Sequence, residues 1–285
     1  MHVVKRDGRK QPVSLDKILH RVTALSHGLD KVEIVNLVQK VVQGVHDNVK
    51  TADLDDLAAQ TSNAMASRHP QYSKLAARIA VSNLHKQTDP CITSIFPVLS
   101  EEVREFVREH KDALNASLVF ERDYSYDFFG YKTLERSYLS RNEEDGRIIE
   151  RPQHLLMRVA LGIHAGDLAR VLETYDMMSQ GLFTHATPTM FNAGTSHPNL
   201  ASCFLLATTA DSISGIFDTV TKCALISKTA GGIGFSVSNV RSQGSLIRST
   251  GGKSAGTPPF LQVFEIGNCV ALHTVSLSGK SSCCA

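Results

Sequence analysis

The stretch Asn199 to Val240, NLASCFLLATTADSISGIFDTVTKCALISKTAGGIGFSVSNV, decides the fold class of the second half of the chain. CFLLAT is an apolar run of strand length, preceded by the turn-forming pair Pro198-Asn199. SISGIFDTVTKCALISK carries apolar residues at helical spacing behind Ser212, whose hydroxyl suits a helix N-terminus. In IGFSVSNV the side chains alternate: Ile233, Phe235 and Val237 share one face, Ser236 and Ser238 the other. Strand, helix, strand predicts an α/β unit with a parallel sheet, because parallel neighbours need a long crossover. The glycines of AGGIG (230–234) suit a tight helix-to-strand connection and do not spell GxGxxG.

Toward the N-terminus the pattern differs. Residues 2–13 read as two short strands, HVVKR and KQPV, joined by Asp7-Gly8, with Pro12 confining the second to an edge or its end. Ser14 is placed to cap a helix running to about His27, and a second helix covers about 32–45 and stops near Gly44. Thr51 is placed to cap a third helix, and a fourth starts at Pro70. The two prolines of KQTDPCITSIFP (86–97) predict a linker, with a domain boundary near residue 90. Beyond it, Ser100 opens a helix with Glu101 and Glu102 in its first turn, and further helices are expected at about 152–164 and 167–180, the last ending at Gly181.

Composition excludes several functions. With 285 residues, 30 basic against 28 acidic side chains and no long run of one charge, neither nucleic acid nor an anionic membrane is a favoured partner. No stretch reaches the roughly 18 apolar residues of a membrane span, and the first residues lack a signal-peptide core, so a cytoplasmic protein is expected. Cys91, Cys203, Cys223, Cys269, Cys283 and Cys284 form no CxxC pair, and the histidines show no ligand spacing; no disulfide framework and no metal site are expected.

Three features invite chemistry. Lys5, Arg6, Arg9, Lys10 and Lys17 crowd a hairpin and the helix after it, which is either a solvated basic face or a clamp for a nucleotide triphosphate. TGGKSAG (250–256) imitates a P-loop, but the first glycine of that motif would fall on Ile247 and no helical pattern follows Ser254; a flexible glycine loop is the better reading. Cys203 stands beside Ser202 at a strand end, where a core thiol and a reactive one are equally compatible with spacing, whereas Cys223 shares the apolar face of its helix with Ile216 and Val220 and reads as core.

Taken in order, VVKRDGRKQPVSLDKI (3–18), LAARIAVSNLHKQT (75–88), ERDYSYDFFGYKTLERSYL (121–139), RPQHLLMRVALGIH (151–164), FTHATPTMFNAGT (183–195), LASCFLL (200–206) and CALISKTAGGIG (223–234) make the chain resemble the large subunit of class I ribonucleoside-diphosphate reductase. The resemblance implies an α+β fold: an ATP-cone of β-hairpin plus helix bundle over 1–90, a helical region over 91–200, and the first part of a ten-stranded α/β barrel, incomplete, over 201–264. Residues 265–285 read as a divergent tail, and the match is expected to stop at Phe264. Half a barrel would leave exposed strand edges prone to aggregation.

The resemblance also implies chemistry. In this family a radical from the small subunit, which holds the radical cofactor, reaches a barrel cysteine. The thiyl takes the 3′ hydrogen of a ribonucleoside diphosphate, the 2′ hydroxyl leaves as water, and a cysteine pair supplies two electrons. Cys203 matches the first member of that pair, and Thr187 and Ser202 match substrate contacts. An ATP/dATP activity site falls on Lys5, Arg6, Gln11, Pro12, Val13, Ser14, Leu15, Asp16, Lys17, Thr51 and Asp55. A dNTP specificity site falls on Asp211, Ser212, Ile213, Lys228, Arg241, Arg248 and Ser249. Implied partners are the small subunit, further copies of the large subunit, and thioredoxin or glutaredoxin as reductant; ATP, dATP and dNTPs are the implied effectors, with no metal in this chain. The radical cysteine and the second reducing cysteine have no counterpart, so the chain alone is expected to be inactive. The rival expectation is a non-enzymatic, nucleotide-sensing regulatory fragment.

Overall fold

Gly8, at φ +82°, reverses the chain between β1 (His2–Val4) and β2 (Lys10–Pro12), which pair antiparallel with Val3 opposite Gln11. Such a backbone suits a residue without Cβ. The computed structural model describes residues 1–229 and 231–266. The sheet order is β2-β1-β3, so Pro12 lies on an edge strand, as its missing N–H demands. β3 (Val49–Lys50) runs parallel to β1 and was not foreseen: two residues are too few to show alternation.

Four helices complete this unit: α1 (Leu15–Leu25), α2 (Ile34–Gln43), α3 (Thr51–Ala64) and α4 (Gln71–His85). Ser14 caps α1 as expected, its Oγ accepting from the Lys17 N–H at 3.4 Å. Thr51 does not cap α3. Lys50 holds the cap position in an extended backbone that the end of β3 supplies, and Thr51 is the first helical residue. Leu37, Val41, Leu75 and Ala76 are fully buried between the helices, each leucine contributing about 2–3 kcal/mol by leaving water.

The expected linker is a packed segment. Residues Ile92–Val98 form a 3-10 helix whose Ile92 and Ile95 are fully buried, and one apolar core runs without a break from Val3 to Ala193. A 3-10 turn containing Pro97 lacks the 3.6-residue period, which is why the sequence looked unstructured there. Next come α5 (Glu101–Glu109), capped by Ser100, α6 (Lys111–Ser117) and α7 (Phe128–Thr133), which passes into a π-helical turn, Leu134–Tyr138. α8 (Pro152–His164), α9 (Leu168–Ser179) and α10 (Thr187–Asn192) follow, with the Gly181 N–H closing α9 on the Met178 carbonyl.

α8 is buried from Pro152 through Leu161, charged residues included. Arg158 is wholly buried with Glu150, Nε to Oε1 at 2.7 Å, and also donates to the carbonyls of Met190, Phe191 and Ala193 around the end of α10. Gly162 lets this contact form: a Cβ there would lie 2.0 Å from the Gly194 backbone nitrogen.

The last portion is the expected α/β unit. β4 (Cys203–Ala207), α11 (Ile213–Ser227) and β5 (Gly232–Ser236) follow in order, and the strands pair in parallel with Cys203 opposite Gly232. Ser212 caps α11, its Oγ accepting from the Gly215 N–H at 3.1 Å. Ile216, Cys223, Val240 and Phe264 form a second, smaller core. Phe264 belongs to a helical run over 258–266, contrary to the expectation that no helix follows Ser254; Pro258 suits its first turn. The other sheet face is open, with Leu205 90% exposed, and among the described residues this sheet has two strands, each with an unpaired edge. The expected tail of 265–285 lies, beyond residue 266, outside the described residues.

Two predictions follow from α8. Arg158→Met strands the Glu150 carboxylate and should cost about 3–5 kcal/mol in denaturant unfolding, part of it recovered by adding Glu150→Leu. Burial holds the His154 imidazole down at about 4, against an ordinary 6.5, with Nε2 on the Pro90 carbonyl and Nδ1 facing the Arg151 N–H. The unfolded chain therefore takes up this proton first. The stability tied to neutral His154 is complete above pH 6.5 and falls away as the pH drops toward 4, by up to about 3 kcal/mol. Unfolding measured across that range should show a steeper loss for the wild type than for His154→Gln.

Candidate functional site

The hairpin, α1, α3 and the end of α4 enclose a cavity of about 480 Å³. Lys5, Arg6, Asp7, Arg9 and Gln11 reach it from the hairpin, Lys17 and Arg21 from α1, Thr51 and Asp55 from α3, and Lys86 from just beyond α4. Ile18, Val22, Leu54, Ala58 and Ile79 give it an apolar floor. Six cations face two carboxylates, so the cavity is strongly positive and suits a polyanion that also carries a flat apolar group.

Asp55 organises the interior. Its carboxylate accepts from Arg21 Nη2 at 3.0 Å and from Arg6 at 3.2 Å, while Arg6 also donates to the Asn83 side chain. Burial pushes the Asp55 carboxyl above its ordinary range, opposed by Arg21 and Arg6. At the rim Arg9 pairs with Asp7, and that hydrogen bond holds the Asp7 carboxyl below its usual range.

Of the residues expected at an activity site, the fold brings Lys5, Arg6, Gln11, Lys17, Thr51 and Asp55 to this cavity. Pro12, Val13, Ser14, Leu15 and Asp16 are outside its lining: they turn the chain from β2 into α1, with Ser14 as the cap and Val13 packed on the core. Arg21 and Lys86 were missed. Arg21 stands one helical turn beyond Lys17, a spacing visible in the sequence, whereas Lys86 arrives only through the packing of α4.

A second cavity, of about 260 Å³, lies at the N-terminal end of α11. Asp211, Ser212, Ile213, Arg241 and Ser249 line it, together with Ser254 and Phe260; Lys228 and Arg248 are not among its lining residues. Arg241 pairs with the Asp211 carboxylate and donates to the Asp211 carbonyl at 3.2 Å. The glycine loop beside it is folded back on itself by a bridge between Leu246 and Lys253, with Ile247 and Gly252 joined at 2.8 Å.

Cys203 opens β4 with an exposed thiol, and Ser202 Oγ donates to its Sγ at 3.7 Å. Thr187 begins α10 with its hydroxyl against that of Tyr138 at 2.9 Å. α10 is moored to the approach of β4: Thr189 donates to the Leu200 carbonyl and Asn192 to that of Asn199. The remaining described thiols are placed elsewhere, Cys91 beside Thr93 and Asn115 and Cys223 in the small core, where burial pushes its thiol up. Among the described residues there is no group of three or more side chains able to hold a metal ion, and no helix long and apolar enough to cross a membrane.

Comparison with known proteins matches this architecture segment by segment. Residues 1–87 match the ATP cone domain, 124–198 the ribonucleotide reductase all-alpha domain, and 201–272 the ribonucleotide reductase barrel domain. The barrel match runs past Phe264, where the sequence reading had ended it. The chain is 51% identical to ribonucleoside-diphosphate reductase large chain 2 of Saccharomyces cerevisiae, over 93% of its own length and 32% of the relative's. It is 50% identical to the large chain of Schizosaccharomyces pombe (93% and 34%) and 49% to the large subunit of Danio rerio (92% and 35%). The chain therefore spans about a third of the length of the curated relatives it matches. On the strength of three consecutive domains and half-identity along nearly all its length, the chain belongs to the family of ribonucleoside-diphosphate reductase large chains.

Proposed function

We propose that this chain is the effector-sensing and substrate-facing portion of a ribonucleoside-diphosphate reductase large chain, and that its cone cavity binds ATP and dATP. The observation that carries this reading is the cavity itself, in which Lys5, Lys17 and Lys86 ring an apolar floor. Ammonium groups neutralise a triphosphate, and Ile18, Val22 and Ile79 offer a surface for a purine. The smaller cavity at α11 suits a dNTP by the same logic, with Asp211 placed for a ribose hydroxyl and Arg241 for phosphate.

Reduction of a ribonucleoside diphosphate is proposed for the large chain to which these segments correspond. There Cys203 is one of the two thiols that give up electrons and close to a disulfide, with Thr187 and Ser202 holding the substrate. The small subunit supplies the radical, thioredoxin or glutaredoxin restores the thiols, and copies of the large chain associate under effector control. Cys91, Cys203 and Cys223 are all free thiols, so within the described residues nucleotide sensing is the better supported role.

Calorimetry on the whole chain tests the cavity. ATP and dATP should bind, and Lys17→Ala should weaken both by about 10- to 100-fold, the loss expected for a charge-assisted contact; absence of binding by the wild type would overturn the reading. Cys203 is tested by alkylation of the native chain followed by peptide mass analysis. Its thiol should be modified rapidly while Cys223 stays protected until the chain unfolds; equal protection of both would place Cys203 in the core.

A further inference from the structure

The end of α4 touches the nucleotide cavity and the helical region at once. Asn83 accepts from Arg6 and donates to the Ala52 carbonyl, Ser82 Oγ accepts from Arg21 at 3.4 Å, and Lys86 lines the cavity. His85 is turned about 200° from Asn83 around the helix axis. It meets the wholly buried Asp123 at 2.7 Å, between the rings of Phe120 and Tyr124. Asp123 in turn accepts from Gln153 of α8, and Gln153 from Tyr175 of α9.

Arg151 closes this junction. Its guanidinium donates to the carbonyls of His85 and Thr88 and to Thr88 Oγ1, satisfying groups at the frayed end of α4, and it lies 4.6 Å over the Phe120 ring. Arg151 is also the N-cap residue of α8, whose Arg158 grips α10. An unbroken run of hydrogen bonds and helix backbone thus leads from Arg6 through Asn83, α4, Arg151, α8 and Arg158 to the element that begins with Thr187.

We propose that the end of α4, Ser82–Thr88, is the element through which the helical region senses occupancy of the cone cavity, with Arg151 as the positioning residue that joins them. The proposal rests on the nucleotide reading of the cavity and adds a route within one chain. A bound triphosphate competes for Arg6 and Lys86, and a change in their pull on α4 is handed to the 119–126 segment and α8, because Arg151 leaves that end of the helix no independent freedom.

Hydrogen exchange followed by mass spectrometry on the whole chain is the test. ATP should slow exchange in 119–126 and 151–158 as well as at the cavity, by about threefold or more. Arg151→Lys keeps the charge and loses the fork; it should abolish the distant slowing and weaken ATP by a few-fold, although Arg151 does not line the cavity. Thr88→Val, which removes one of the bonds, is the second variant should Arg151→Lys fail to fold, and should reduce the distant slowing. Without nucleotide, Arg6→Met should speed exchange in the same two segments. ATP protection confined to the cavity, with Arg151→Lys or Thr88→Val titrating like the wild type, overturns the proposal. If the wild type binds no ATP, the cavity reading falls and the Arg6→Met comparison decides alone: unchanged exchange at 119–126 and 151–158 overturns the link.

Discussion

A helix buried around its whole circumference must find a partner for every polar group it carries, since water is not there to serve them. α8 is under that constraint, and the sequence nevertheless gives it Gln153, His154 and Arg158, with Arg151 at its cap. Each of these reaches a different neighbour: Arg151 the end of α4, Gln153 the 119–126 segment and α9, His154 the Pro90 carbonyl, Arg158 the end of α10. Apolar side chains would fill the same volume without choosing among these partners. We read the polar set as fixing position more than adding stability, because buried ion pairs contribute little net energy over well-packed apolar replacements.

This constraint explains how cavity and thiol, which share no element, occupy one frame. The cone is held to α8 through α4, and the approach to β4 is held through α10. Between them lies a single apolar core, crossed by the paired polar groups of α8 and by their buried partners Asp123 and Glu150. The smaller core behind β4 and β5 is separate from it and contains Phe235 stacked on Phe264 at 4.2 Å.

Local chemistry made much of this legible. Asp7-Gly8, Pro12, Ser14, Ser100, Ser212 and Gly181 act through their own backbone or the next turn, so the sequence carries their effect directly. The strand, helix, strand order of 203–236 was equally plain because each element is long enough to show its period. What escaped is what only the assembled chain creates. β3 is defined by its partner, the 3-10 helix at 92–98 by burial against neighbours, and α10 by six residues around Pro188. Asp123, Gln153 and Arg158 look like surface residues to any hydropathy pattern and are among the most buried in the fold. Half of the cavity was visible as a basic cluster. Its apolar floor was not, because Ile18, Leu54 and Ile79 come from three helices.

The register of β4 against β5 sets bare backbone beside the exposed side chains: Cys203 faces Gly232 and Leu205 faces Gly234. A Cβ at Gly232 would stand 3.8 Å from the Cys203 sulfur, and one at Gly234 would stand 3.0 Å from the Leu205 side chain. Next to the thiol, β5 is therefore a floor instead of a wall. The openness of this thiol along β5 is thus set partly by residues that have no side chain at all.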